Sequence, residues 1–144
     1  MSTPRSATSR RFQELDRQQC YQLMATQDVA RVAWQAADTL QILPVNYALF
    51  EGAIYIRTSP HSPVSKLAQP TDVALEVDEV DHERRAGWSV VAHGRSGSVA
   101  PLKDPSQRWA LESLMPWAAG LRILIVRVVP DHISGRLLRR YVDL

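Results

Sequence analysis

The chain has 144 residues, of which 45% are hydrophobic and 22% charged, a composition typical of one globular domain and not of a disordered chain. This length excludes two-domain dehydrogenases and barrels of eight βα units. Residues 1–17 hold four arginines against one glutamate and one aspartate, which accounts for the whole net charge of +2. The rest of the chain is neutral, so nucleic acid is not an expected partner.

Several other classes of protein are excluded by what the chain lacks. Cys20 is the single cysteine, so the chain has no intrachain disulfide and no CxxC motif. No apolar run approaches the roughly 18 residues of a membrane span, and the N-terminus has no apolar signal segment. We therefore expect a cytoplasmic protein without membrane contact. The histidines, which lack HxH and HxxxH spacing and predict no metal site, are His61, His82, His93 and His132.

The N-terminal part of the chain predicts a tail followed by a helix. Residues 1–11 are expected to be a disordered tail, and 12–144 a single domain. Asp16 and Gln19 have the spacing of a capping box, which predicts a helix over 17–27. Its apolar stripe consists of Cys20, Leu23 and Met24, and the thiol is interpreted as a small core residue.

After this helix the hydrophobic period changes from 3.6 to 2. Short runs separated by turns of about three or four residues favour an antiparallel meander over βαβ units. The predicted strands cover residues 29–34, 40–49, 53–58, 73–80, 87–100, 121–129 and 132–138, with further short helices at 63–69 and 105–114. Pro44 predicts an edge or a bulge in its strand, and Gly94 and Gly97 predict a bend. Six or seven antiparallel strands with three short helices predict a mainly β fold, a small closed barrel.

A candidate phosphate site lies where the predicted strand 53–58 meets the next helix. Arg57 and Thr58 end the strand, and Ser65 and Lys66 belong to the first turn of the helix. An arginine, two hydroxyls, a lysine and the N–H groups of a helix start are typical of phosphate binding. The alternative is a surface arginine, a capping serine and a solvated lysine.

Two further segments are candidates for contact with a flat ring. Pro44 interrupts strand pairing, so backbone groups near it can bond a heterocycle; alternatively it only protects an edge strand. Trp88 opens a strand after a loop, where it can stack on a ring, although a core position is the alternative. Glu76 and Asp78 share one strand face and are interpreted as a solvated rim.

Taken in order, these segments resemble the pyridoxamine 5′-phosphate oxidase-like family of flavin-binding split barrels. The resemblance covers most of the chain, from about residue 15 to 138. The segments that carry it are Val29-Ala-Arg-Val-Ala33, Leu43-Pro-Val-Asn-Tyr47, Ile56-Arg-Thr58 with Ser65-Lys-Leu67, Val73-Ala-Leu-Glu-Val-Asp78, Gly87-Trp-Ser-Val90 and Ser134-Gly-Arg136. The loop 59–65 departs from the family pattern, because it is longer, lacks the usual glycine and contains Pro60 and Pro63.

The resemblance implies a homodimer with FMN at the subunit interface. By position, the phosphate would be held by Arg57, Thr58, Ser65 and Lys66. The isoalloxazine would be bordered, partly through backbone groups, by Pro44, Val45, Asn46 and Tyr47. Trp88 and Ser89 would lie near the ring or the ribityl chain, and Trp117 would approach from the partner subunit.

The function implied is a flavin-dependent oxidoreductase acting on a small molecule that the sequence does not name. Deazaflavin F420 and haem are alternative cofactors in the wider superfamily. A non-catalytic module that stores or senses flavin, F420 or haem is the alternative function. A barrel that acts only as an interaction protein is a third hypothesis.

Overall fold

The computed structural model describes residues 10–99, 104–106, 108, 109 and 124–140. The strands are β1 (Arg10–Leu15), β2 (Val29–Ala36), β3 (Thr39–Phe50), β4 (Ala53–Thr58), β5 (Asp72–Asp81), β6 (Ala86–Ser98) and β7 (Leu124–Arg140). The helices are α1 (Arg17–Met24) and one 3₁₀ helix (Pro63–Ala68). Within these described ranges no helix is long and apolar enough to cross a membrane.

The strands close into an antiparallel barrel. The hydrogen-bonded order is β4-β3-β2-β5-β6, and β7 pairs with both β4 and β6, which closes the ring at six strands. β1 pairs with the far half of β7, beyond the end of β4. The predicted mainly β barrel is confirmed, and β4 has the bounds that the alternation in the sequence predicts.

The core fills the barrel, and both helices contribute residues to it. Inward-facing residues such as Val32, Ile56 and Leu75 are fully buried, as strand alternation requires. The 3₁₀ helix packs on β6 and β7 through its buried apolar side chains. α1 contributes Met24 and Cys20, and burial raises the pKa of the Cys20 thiol. Cys20 is therefore a core residue, as predicted.

α1 begins where the sequence predicts and ends three residues earlier. The Gln19 N–H donates to Asp16 Oδ1 (2.8 Å), and the Asp16 N–H donates to Gln19 Oε1 (2.9 Å). This reciprocal pair is the predicted capping box. The helix ends at Met24, and the chain continues in a tighter turn, in which the Thr26 N–H donates to the Leu23 carbonyl (3.0 Å) and the Gln27 N–H to the Met24 carbonyl (3.3 Å).

Two strand predictions are wrong. Arg10 and Arg11 belong to β1, not to a tail, while residues 1–9 lie outside the described part of the chain. The strands predicted at 121–129 and 132–138 are one strand, β7, and residues 121–123 are not described. The chain passes Pro130 through a bulge, because Gly94 lies opposite Pro130 whereas the preceding His93 lies opposite His132. The predicted irregularity at Gly94 is thus confirmed.

Of the three predicted helices, the described residues contain α1, a 3₁₀ helix in place of the second, and the start of the third. The predicted helix 63–69 is a 3₁₀ helix of six residues. The helix predicted at 105–114 starts as expected, because the Ser106 N–H donates to Asp104 Oδ1 (2.9 Å) and the Arg108 N–H to the Asp104 carbonyl (3.0 Å). Most of its remaining residues lie outside the described ranges.

Candidate functional site

The pairing between β3 and β4 covers only part of β3. It runs from Phe50 to Asn46, where Asn46 lies opposite Arg57. Pro44 lies beyond this point, opposite Arg31 of β2. On its β4 side, this stretch of β3 pairs with none of the described strands. The predicted edge at Pro44 is therefore confirmed, and backbone groups on the open side of β3 can bond a ligand.

The residues predicted to hold a phosphate follow one another at the end of β4. Arg57 and Thr58 are half-buried at the strand end, and the 3₁₀ helix with Ser65 and Lys66 begins after residues 59–62. The Ser65 side chain is half-buried and that of Lys66 is exposed. The strand end that carries Arg57 therefore adjoins the open stretch of β3.

The backbone at the start of the 3₁₀ helix differs from the expectation. Pro63 has no N–H, the Val64 N–H donates to Ser62 Oγ (3.2 Å), and the Ser65 N–H donates to the Ser62 carbonyl (2.9 Å). The first backbone donors are thus used within the turn. A phosphate at this position would be held by the guanidinium, ammonium and hydroxyl groups of the side chains.

The ring-contact residues of β3 alternate between the two faces of the strand. Val45 and Tyr47 point into the core, whereas Pro44 and Asn46 are exposed on the outer face. The Tyr47 hydroxyl donates to the Met24 carbonyl, its N–H donates to the Asp28 carbonyl (3.0 Å), and burial raises the pKa of the phenol. Only Pro44 and Asn46 can therefore offer side chains to a ligand on the outer face.

Trp88 and Ser89 lie far from Arg57 within one chain. Trp88 packs into the core, the alternative that the sequence left open, and Ser89 is half-buried on the outer face opposite Arg136. Arg57 lies opposite Ile125, and the contour of β7 between Ile125 and Arg136 is about 35 Å. The predicted site residues thus form two separate groups. Trp117 lies outside the described residues.

Comparison with known proteins decides the family. The family model for pyridoxamine 5′-phosphate oxidase matches residues 16–137. The chain belongs to this family. It is also 33% identical over 140 residues to an uncharacterized protein of Mycobacterium tuberculosis, covering 93% of this chain and 89% of the relative. The residues that the family model matches include every strand from β2 to β6 and most of β7.

Solved structures of the oxidase family share the barrel. A candidate pyridoxamine 5′-phosphate oxidase from Corynebacterium glutamicum has a TM-score of 0.71 and 30% identity, over 90% of this chain and 99% of that one. A FAD-binding protein from Mesorhizobium loti has a TM-score of 0.77 and 21% identity, over 92% of this chain and 100% of that one. The fold is therefore the split barrel of the oxidase family.

The structure shows a charged cluster beside Pro44, in which Arg31 contacts two acidic residues. The sequence does not predict this contact. Arg31 Nη1 lies 3.3 Å from Glu76 Oε1 and 3.5 Å from Asp78 Oδ2, across the β2–β5 pair. The two acids share one face as predicted, and their side chains are 31% and 30% exposed. Burial and then the Asp78 carboxylate raise the pKa of Glu76 to about 7, while Arg31 opposes the shift.

The raised pKa of Glu76 predicts a pH-dependent stability. An unfolded glutamate has a pKa of 4.5, so between about pH 4.5 and 7 the folded chain binds more protons than the unfolded chain. The free energy of unfolding should therefore fall as pH rises through this window and level off above it. We expect denaturant unfolding at a series of pH values to show a smaller fall for Glu76→Gln. Glu79→Gln, at an exposed neighbour, should follow wild type; equal slopes in all three proteins would contradict the prediction.

Proposed function

We propose that the protein is a homodimeric, FMN-dependent oxidoreductase of this family that acts on a small molecule. The observation that carries the proposal is the end of the β3–β4 pairing at Asn46 and Arg57. There an open stretch of β3 adjoins the strand end from which the cationic turn with Lys66 departs. The neighbour from Mesorhizobium loti, which binds FAD, supports a flavin as the ligand of this fold.

The donor set at this position fits the parts of a flavin mononucleotide. Arg57 and Lys66 supply positive charge, and Thr58 and Ser65 supply hydroxyl donors for the phosphate. The open stretch of β3 beside Pro44, a residue that itself has no N–H, supplies backbone groups for the polar edge of the ring. When bound, FMN would supply the hydride or electron transfer, and the protein would bind it, orient it and exclude water.

The outer face of β2 and β3 supports the homodimer. Leu40 and Ile42 are 79% and 64% exposed, on the same face as Pro44 and Asn46, and Val29 on β2 is exposed beside them. Exposed apolar residues grouped on one face are typical of a protein–protein contact. A second copy of the chain on this face would cover these residues. It would also bring its own Trp88 and Ser89 toward the flavin.

The proposal is tested by the absorbance and flavin content of the purified protein. We expect a yellow protein with a band near ~450 nm, one FMN per chain after reconstitution, and elution as a dimer. NADPH consumption with a set of candidate acceptors then separates an oxidoreductase from a module that only binds flavin. FAD is titrated in parallel, since tighter binding of FAD would replace FMN in the proposal. A colourless protein that neither flavin restores, or a haem band near ~410 nm, would overturn it.

A further inference from the structure

Two exposed histidines face each other on the outer surface of the barrel. His93 of β6 lies directly opposite His132 of β7, and their ring centroids are 6.0 Å apart with an angle of 37° between the ring planes. The two residues are far apart in the sequence, so spacings such as HxH and HxxxH do not detect them. The pairing of β6 with β7 alone brings the two imidazoles together.

The bulge in β7 determines the position of this histidine pair. The register shifts directly after the pair, because Gly94 lies opposite Pro130 and Asp131 has no partner in the ladder. Asp131 and His132 are therefore both exposed, although regular alternation would turn one of two neighbours toward the core. The bulge thus sets His132 opposite His93 and leaves an acidic residue next to the pair.

Neither imidazole has another partner within the described part of the chain. Apart from their mutual contact, His93 and His132 take part in no hydrogen bond and no ion pair there. The cation two residues along β6, Arg95, lies 3.3 Å from Asp72 (Nη1 to Oδ1), so its charge is partly neutralised. The ring nitrogens are therefore open to a ligand from solvent.

The spacing of the two rings fits a shared metal ion. Imidazole nitrogens are preferred ligands of Zn²⁺, Cu²⁺ and Ni²⁺, whereas Mg²⁺ prefers oxygen ligands. With metal–nitrogen bonds of about 2.0–2.1 Å at a tetrahedral angle, two coordinating rings have centroids about 5 Å apart. The observed 6.0 Å exceeds this separation by about 1 Å, a difference that small side-chain rotations remove. The backbone of the two strands need not move.

We infer that His93 and His132 together bind one divalent transition-metal ion, of the class of Zn²⁺ and Cu²⁺, across β6 and β7. Among the described residues no histidine, cysteine or carboxylate completes a set of three around them, so water fills the remaining coordination positions. The ion links the two strands beside the bulge and stabilises the folded chain, because only the folded chain presents both rings together.

The metal site is independent of the proposed flavin site. About 13 Å of β6 separates His93 from Ser89, and about 20 Å of β7 separates His132 from Ile125, the residue opposite Arg57. The inference therefore requires neither FMN nor an oxidoreductase activity, and it can fail or hold whatever the outcome for flavin binding.

The test is a calorimetric titration of the whole chain, free of any polyhistidine tag, with ZnCl₂, CuCl₂ and MgCl₂. We expect one Zn²⁺ or Cu²⁺ per chain, tighter binding of Cu²⁺ and no binding of Mg²⁺. His93→Gln and His132→Gln should each weaken Zn²⁺ binding about tenfold or more, because one imidazole then replaces a chelating pair. Without metal, both variants should unfold at the same denaturant concentration as wild type, since both positions are exposed.

His82→Gln is the matched control, because it removes one exposed histidine from the loop between β5 and β6. It should leave the Zn²⁺ affinity within about twofold of wild type, and Zn²⁺ should still raise its denaturation midpoint. The midpoint of the double variant His93→Gln/His132→Gln should not respond to Zn²⁺. Equal Zn²⁺ affinity in the double variant and wild type would overturn the inference. A wild-type stoichiometry of one ion per two chains would also overturn it, because the ligands would then come from different chains.

Discussion

Arg57→Ala is expected to weaken FMN binding by about 1–3 kcal/mol, or roughly 5- to 150-fold, because it removes a charge-assisted hydrogen bond to the phosphate. Lys66→Ala should have an effect of the same size. The backbone N–H groups at the start of the 3₁₀ helix should contribute little to phosphate binding, because those of Val64 and Ser65 already donate to Ser62. Titration of the flavin-free proteins with FMN, followed by the change in flavin fluorescence, measures both dissociation constants.

The controls separate a lost contact from a damaged fold. Arg95→Ala, on β6, removes one charge from an exposed ion pair with Asp72 and should leave FMN affinity unchanged. Arg57→Lys keeps the charge and should recover part of the loss at that position. The free energy of unfolding of each flavin-free variant is measured alongside. Wild-type affinity in both Arg57→Ala and Lys66→Ala would rule out the phosphate site.

Local patterns in the sequence predict the elements that depend on interactions between residues close together in the chain. The capping box of Asp16 and Gln19 marks the start of α1, and Ser62 before Pro63 marks the start of the 3₁₀ helix. β5 alternates between buried and less buried residues as its sequence predicts, because one face of the strand packs in the core. Each of these elements depends on bonds between near neighbours or on a single buried face.

The two strand errors come from pairings between distant parts of the chain. β1 has no alternating pattern to detect, since Phe12 is largely exposed and Leu15 only half-buried. Its existence depends on hydrogen bonds to the far half of β7. The sequence predicts two strands separated at Pro130, whereas the structure has one continuous strand, because a bulge accommodates Asp131, which has no partner in the ladder.

The candidate site also has one part that local sequence patterns predict and another that depends on the pairing of distant strands. The order Arg57, Thr58, Ser65 and Lys66 is local, and the strand end and helix that carry it are present. The contact of Arg31 with Glu76 needs the β2–β5 register, which no local pattern contains. The same holds for the separation of Ser89 from Arg57, which becomes visible only once both are placed along β7.

Gly94→Ala is expected to lower the free energy of unfolding by about 3 kcal/mol, the upper part of the range for inserting a methyl group into a packed region. A Cβ at this position would lie 2.4 Å from the Val129 carbonyl oxygen, 3.0 Å from the Val129 carbonyl carbon and 3.1 Å from Pro130 Cα. All three atoms belong to the backbone of β7 at the bulge, so no side-chain rotation relieves the contact. Denaturant unfolding at equilibrium measures the change.

Gly97→Ala is the matched control on the same strand. A Cβ there meets nothing within 4 Å, so the variant should be as stable as wild type or more stable by about 0.4–1 kcal/mol, since alanine restricts the unfolded chain. The comparison tests the close approach of the β7 backbone to Gly94 at the bulge. Equal stability of the two variants would contradict this approach, because the added methyl group would then meet no backbone atom at either position.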